Sequence, residues 1–423
     1  MSRFRFGRRQ TIGVIFGVLG LLLVGYVAAN LDPADKGLAF EPPPDPAKLV
    51  VDPPITVTVI GIVFILTSVA TFFERRSKRL ASGALMLSTV LFVPLVVVLA
   101  LALSQARETN VMQLVVESLR LGTPVALGAM AGLWCERAGV VNIGIEGMML
   151  LSAGSGFMTY ALVGDANTLS ALWLAIFVAI ATGGLIALLH AVLSVSFRVD
   201  QIISGVVINL LALGMTGFMR SEIIVGTGIS TGVSTGPIAL PLLSDIPIVG
   251  TQLFTNKPIF FVMFLIVALT AWVLFRTPFG LRVRAVGENP HATETLGIDP
   301  IRIRYTAVVI GGLIAGLAGA WFSLESQAGF QDNMTNGTGF IALAALIFGK
   351  WRPATAFAGA ILFGFTRALG SRLQILNVSI GDFSLPSEFL QSLPYVVTII
   401  VVAGAVGRAV APAADGVPYE RSR

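Results

Sequence analysis

Asn142 and Glu146 are the most chemically suggestive pair in the chain. They lie four residues apart in an otherwise apolar, glycine-punctuated stretch, CERAGVVNIGIEGMML over 135–150. On a helix this spacing puts them on neighbouring turns of one face. A carboxyl group at bilayer depth is costly and tends to face a cavity or a partner. Two readings follow: the pair lines a path for a polar solute, or it hydrogen-bonds an interrupted helix. Gln201 and Asn209 pose the same alternatives. No residue set supports catalysis. Cys135 has no histidine near it in sequence, so it reads as packing. His190 sits in a long apolar run and reads as a hydrogen-bonded interior histidine, and His291 sits in a polar loop. One cysteine and two histidines make neither an internal disulfide nor a metal cluster. Gly349-Lys350 lacks both the upstream glycine and the following hydroxyl of a phosphate-binding loop. The site assignment is therefore catalytic none and metal none, and ATP-driven work would need another chain.

The elements that must position these groups are membrane helices. Of 423 residues, 55% are hydrophobic and only 12% charged, with a mean hydropathy of +0.86. Soluble domains carry about 25% charged residues. Continuous apolar runs of about 20 residues recur along the chain, which indicates spanning helices. The runs do not alternate, which excludes a transmembrane β-barrel. The net charge of +5 gathers in short loops, a topology signal and not a nucleic-acid footprint.

The expected fold is therefore all-α: a polytopic membrane protein of about 10–12 helices with a short cytoplasmic helix. Expected spans are 11–29, 55–73, 83–103, 122–134, a stretch running on to Val163, 169–196, 202–219, 258–275, 305–324, a short 339–349, 354–369 and 389–406. Residues 110–121 read as an amphipathic lead-in. Around 135–150, either two full spans meet at an inside loop near Glu136 and Arg137, or a broken helix enters the membrane. Residues 31–54 are proline-rich and acidic, an extended segment suited to the outside. Arg75, Arg76, Lys78 and Arg79 mark an inside loop, and one consistent assignment puts both termini in the cytoplasm. Gly312, Gly316 and Ala320 form a small-residue stripe that predicts close packing of their helix.

Residues 282–304, RVRAVGENPHATETLGIDPIRIR, form the longest polar interruption on that inner side. A short helix over 292–296 lies between two breakers, Pro290 and Gly297. Arg282, Arg284, Arg302 and Arg304 flank it as topology anchors.

Four blocks, in order, resemble one family. They are SLRLGTPVALGAMAGLWCERAGVVNIGIEGMMLLSAG (118–154), DQIISGVVINLLALGMTGFM (200–219), RAVGENPHATETLGID (284–299) and GFIALAALIFGKWRPATAFAGAILFG (339–364). They resemble permease subunits of bacterial ABC importers for simple sugars, nucleosides and branched-chain amino acids. The run over 136–149, ERAGVVNIGIEGMM, is the most specific and resembles the nucleoside branch.

The resemblance implies a permease core over 111–408, a cytoplasmic tail over 409–423, and an N-terminal extension over 1–110 without an assigned role. It implies a cytoplasmic ABC ATPase that holds the ATP, with no cofactor on this chain. A second permease subunit, a solute-binding lipoprotein or periplasmic protein and a nucleoside-like solute complete the expected partners, in a bacterial inner membrane. Arg284, Gly287, Glu288, Asn289, Pro290, Ala292 and Gly297 match the block that receives the ATPase. Asn142, Glu146, Gln201 and Asn209 are the candidates for the translocation path. Rival readings are a sugar or branched-chain amino acid importer, and an ion-coupled secondary carrier, against which the scarcity of deep acidic residues weighs.

Overall fold

The computed structural model describes residues 7–31, 35–39, 48–75, 77–103, 108–163, 168–228, 234–247, 249–375 and 409–421, with a few positions between 379 and 392. Its helices are α1 (Arg8–Leu22), α2 (Pro53–Phe72), α3 (Lys78–Ala102), α4 (Val111–Arg137), α5 (Ile145–Val163), α6 (Thr168–Ala191), α7 (Gln201–Phe218), α8 (Gly250–Leu253), α9 (Pro258–Arg276), α10 (Pro278–Glu288), α11 (Pro290–Thr295), α12 (Pro300–Ala320), α13 (Thr338–Phe348) and α14 (Pro353–Ile375). Among the described residues, nine helices are long and apolar enough to cross a membrane. The 19-residue α5 and the 11-residue α13 add a polar-ended and a short apolar helix. The span expected over 389–406 lies outside the described residues. The fold is all-α and polytopic.

The chain divides into two compact units, one of residues 1–115 with 368–395, the other of residues 116–367 with 396–423. The smaller unit therefore takes in a stretch from beyond residue 367. In it, α1 and α2 meet through an edge-on Phe16–Phe64 pair at 5.0 Å, and α2 and α3 through a Thr67–Ser88 hydroxyl bond of 2.5 Å. Paired hydroxyls satisfy each other where no water reaches. The extended segment before α2 forms two strands, β1 (Lys36–Ala39) and β2 (Lys48–Val51). β1 pairs antiparallel with β2 and parallel with β3 (Glu108–Asn110).

The lead-in and the short span expected over 110–134 form one helix, α4, which runs on to Arg137. Pro124 lies inside it, and the Thr123 hydroxyl bonds the Leu119 carbonyl one turn back. Proline removes one backbone bond, a loss that neighbouring side chains and helices can absorb in a membrane bundle. α5 is central and packs against α6, α7, α12 and α13. α6 and α12 approach closely along the small-residue stripe: a Cβ on Gly316 would lie 2.6 Å from the Ala179 carbonyl oxygen. Only glycine admits that backbone contact, as expected of small-residue helix packing.

Three helices start at aspartate caps. Asp52, Asp200 and Asp299 accept backbone N–H bonds at the heads of α2, α7 and α12, the preferred side-chain solution for orphan amides at a helix start.

Candidate functional site

α4 ends at Arg137 and α5 begins at Ile145, so two helices meet at a tight turn over 138–144. The turn is largely buried, so its backbone groups need protein partners. Two other helices, α6 and α7, supply most of them. Gln201 Oε1, from the head of α7, accepts from Val141 N at 2.7 Å, and His190 Nε2, on α6, lies 3.0 Å from the Val141 carbonyl. His190 Nδ1 meets Ser204 Oγ at 3.0 Å. Asn209 bridges the turn and α5: its Oδ1 accepts from Gly147 N at 2.8 Å and its Nδ2 donates to the Ile143 carbonyl at 3.1 Å. Asn142 is fully buried. Its Nδ2 points to Cys135 Sγ and Met148 Sδ, and its Oδ1 has no hydrogen-bond partner.

Glu146 takes a different partner from Asn142. It is 7% exposed, and its carboxyl oxygens accept from Thr335 Oγ1 at 2.6 Å, Gly337 N at 2.8 Å and Gly339 N at 2.5 Å. These are the donors that lead into and open α13. A helix start has unsatisfied N–H groups and a positive dipole end, both suited to a carboxyl group. Glu146 thus fixes the short helix α13 against α5. Glu325, 2% exposed, repeats the device: it accepts from Ile259 N at 2.7 Å and Phe260 N at 3.2 Å at the head of α9. Glu325 borders a cavity of about 340 Å³, together with Arg120, Asn256, Lys257, Phe260 and Trp321. Burial lowers the Lys257 pKa, Glu325 opposes that shift and Arg120 adds to it.

The segment 282–304 is not one loop around a short helix. It is α10, then α11, then the start of α12. Pro290 begins α11, where its missing N–H costs nothing. Asn289 caps α11 by accepting from Ala292 N at 3.0 Å. Gly297, at φ +76°, ends the turn that follows. Glu288, Asn289, His291 and Ala292 are exposed, and Leu296 is 78% exposed.

Arg284 and Arg137 both lie over the Phe275 ring, at 5.0 and 5.5 Å. Gly287 is pressed onto the end of α4: a Cβ there would sit 2.2 Å from the Arg137 carbonyl oxygen. Arg137 in turn donates two bonds to the Trp351 carbonyl, and Trp351 Nε1 donates to Glu136 at 2.5 Å. The candidate coupling residues and the Asn142 turn are therefore joined through the last turn of α4.

Arg304 corrects the sequence reading. It was expected as a topology anchor, yet it is 1% exposed. Its guanidinium donates to the carbonyls of Ala138, Val417 and Ala414 at 3.2, 3.0 and 3.4 Å. Several carbonyl oxygens offer a guanidinium fork a charge-assisted alternative to water. Sequence spacing gave no signal for this, because the tail lies more than a hundred residues away in the chain. His190 matches its bland reading but also holds the turn. Glu136 and Trp351, both visible in the sequence, gave no sign that they pair.

Residues 114–406 match the family described as "Branched-chain amino acid transport system / permease component". The guanosine ABC transporter permease protein NupQ of Bacillus subtilis (strain 168) is 39% identical over 72% of this chain and 96% of its own length. The nucleoside ABC transporter permease protein NupC of Lactococcus lactis subsp. cremoris (strain MG1363) is 39% identical over 74% of this chain and 99% of its own. A putative glucose ABC transporter permease protein, TsgC13 of Haloferax volcanii, is 35% identical over 69% of this chain and 91% of its own. No solved structure matches. With the family match covering most of the chain, and relatives aligned over nearly their full length, the protein belongs to the branched-chain amino acid transport system permease family, as a multi-pass ABC-transporter permease.

Proposed function

We propose that this chain is the membrane subunit of an ATP-driven nucleoside importer and forms half of its translocation path. The observation that carries the reading is the 39% identity to a guanosine permease and a nucleoside permease over nearly their whole length. A second reading, a simple-sugar importer, draws support from the putative glucose permease at 35%.

In the proposed complex a cytoplasmic ABC ATPase binds and hydrolyses ATP, a second permease completes the path, and a solute-binding lipoprotein or periplasmic protein delivers solute from outside. The membrane is the bacterial inner membrane, with both chain termini on the cytoplasmic side. The ATPase docks on the segment that carries Arg284, Gly287, Glu288, Asn289, Pro290, Ala292 and Gly297: Glu288, Asn289, Ala292 and Gly297 face outward, while Gly287 and Pro290 are buried beneath them. Movement of α10 and α11 reaches the end of α4 through the Gly287–Arg137 contact. From there it passes to the buried turn that Gln201, His190 and Asn209 hold. The path runs beside this junction, where Asn142, Glu146, Gln201 and Asn209 keep the helix ends in register. ATP shifts the equilibrium between outward- and inward-open states only as far as the docked partner binds the two differently.

Proteoliposomes carrying the assembled complex should take up solute only with ATP inside the ATPase compartment. Glu288→Arg, or removal of residues 288–292, should let ATP hydrolysis continue while uptake stops. Uptake by this chain alone, driven by an ion gradient, overturns the importer reading. Normal uptake from the 288–292 deletion overturns the docking surface.

A further inference from the structure

The tail over 409–421 packs against the candidate docking helix, and nothing above gives it a task. Its backbone joins α10: Ala414 N donates to the Gly287 carbonyl at 2.9 Å, and Ala413 N donates to Glu288 Oε2 at 3.2 Å. Pro412, Ala414 and Tyr419 are buried, and the Tyr419 ring lies 5.1 Å from His291, on α11. Beyond it, Arg421 reaches Glu294 at 3.4 Å and Asp299 at 3.2 Å, one on each side of the Gly297 turn. Arg198 pairs with Glu420 and ties the tail to the turn before α7. Underneath, Arg304 holds the tail's Ala414 and Val417 carbonyls and the Ala138 carbonyl of the buried turn with one guanidinium. Gly139, at φ +81°, makes room for that arrangement: a Cβ there would meet the Ala414 carbonyl oxygen and Arg304 Nη2, both at 2.9 Å.

We infer that residues 409–421 are a strap that sets the pose of α11 for the ATPase, with Arg304 and Arg421 as positioning residues. The inference rests on α10 and α11 being the docking surface, and it adds a second segment to that surface. α11 has six residues, too few to hold an orientation by its own backbone bonds. The Gly297 turn behind it is closed by two backbone bonds of its own, Gly297 N to the Glu294 carbonyl at 2.9 Å and Ile298 N to the Thr293 carbonyl at 3.2 Å, and works as a hinge between α11 and α12 that tertiary contacts stiffen further. The strap contacts both sides of that hinge and reaches the turn at the end of α4. A displacement of α11 is then delivered to α4 and α7 and not lost in bending at Gly297. On the exposed rim of the tail, Ala413 lies against exposed Glu288, so an ATPase seated on α10 and α11 would touch the strap as well.

The test uses the complete complex in proteoliposomes and reads solute taken up per ATP hydrolysed, together with the amount of complex assembled. A Leu296→Cys variant, cross-linked to the ATPase, reports docking independently, since Leu296 is exposed and takes part in none of the strap contacts named above; the native Cys135 is buried and does not compete. Removal of residues 409–423 should leave the cross-link but lower uptake per ATP. Arg421 is 61% exposed at its side chain, so Arg421→Ala tests the clamp without burdening folding. Loss of a paired surface charge is worth up to about fivefold; Arg421→Ala should therefore lower the ratio by about threefold to fivefold, and Arg421→Lys should restore most of it. A structural role alone would lower the amount of complex and leave the ratio unchanged. A cross-link with a wild-type ratio in both the truncation and Arg421→Ala overturns the strap alone. No cross-link from Leu296→Cys in an otherwise unaltered, transporting complex overturns the docking surface and the strap with it.

Discussion

Glu146 should act as a brace for α13, and its replacement should unsettle the helix junction before it alters solute choice. One of its oxygens accepts from Thr335 Oγ1 and Gly337 N, the other from Gly339 N at 2.5 Å. Glu146→Gln preserves the shape. The amide oxygen can replace the doubly bonded carboxyl oxygen, but the amide nitrogen then faces the Gly339 N–H, donor to donor. A buried donor left without an acceptor costs about 1–3 kcal/mol. Glu146→Ala strands three donors and should cost about two to three times that figure. The chain has little room to relax, because Gly339 lies so close that a Cβ on it would sit 2.6 Å from Glu146 N. Thr335→Val removes one donor together with its need for a partner, so its cost on the Glu146→Ala background should nearly vanish. The coupling energy in that double-mutant cycle should fall in the range of about 1–3 kcal/mol. Thermal unfolding of the purified complex, with uptake measured on the same samples, supplies the data. Order of loss Ala greater than Gln, and uptake falling in proportion to folded complex, is the expected outcome. Additive single and double variants, or Glu146→Gln complexes of unchanged thermal stability that no longer transport, would refute the brace.

Other expectations follow from single contacts. Gly287→Val places its side chain against the Arg137 carbonyl, a backbone atom that cannot rotate away; α10 should shift, and ATP hydrolysis in the complex should continue with uptake reduced about tenfold or more. Gly316→Val meets the Ala179 carbonyl and Ile180 backbone of α6, and should lower the folded yield by forcing apart α6 and α12, read by size-exclusion profiles of the detergent-extracted protein. Asp415 should make the tail pH-sensitive: burial lifts its carboxyl from 3.8 to about 7 against the opposing pull of Arg304 and the Gly416 N–H. Glu136, Cys135 and Arg304 are the titratable groups that interact with it. The released tail has the lower pKa, so docking takes up a proton between the two values. Docking is then strongest at the acid end, weakens as pH rises through that interval and is flat above it. Amide-exchange protection of residues 411–419, corrected for intrinsic rate, should be about tenfold greater near pH 6 than near pH 8, and Asp415→Asn should remove the difference.

Much of the fold was legible in the sequence because membrane solvation writes it locally. Runs of apolar residues gave nearly every helix. The Gly312–Gly316 stripe gave one helix contact, since small residues have few other uses on a packed apolar face. The site was legible as a list of residues but not as a set of bonds. Asn142 and Glu146 stand four apart and share a region, yet one faces Cys135 and Met148 and the other the head of α13. No local rule joins Glu146 to residues 335–339, because the partners are amides and a hydroxyl common to any loop. Arg304 was misread for a related reason. Positive charge beside a span usually marks the aqueous side, but a guanidinium can be buried when backbone carbonyls surround it. Two of those three carbonyls belong to the tail, whose sequence shows neither periodicity nor a motif. Pro290 read as a breaker because proline ends helices in their interior, whereas here it occupies the first position of α11.

The central claim is that this permease serves nucleoside import, and substrate competition tests it most directly. The complete complex in proteoliposomes, loaded with ATP on the ATPase side, should accumulate labelled guanosine. Unlabelled nucleosides should suppress that uptake, while ribose, glucose and leucine at the same concentration leave it unchanged. ATP-dependent uptake of ribose, glucose or leucine that nucleosides fail to compete would contradict the account.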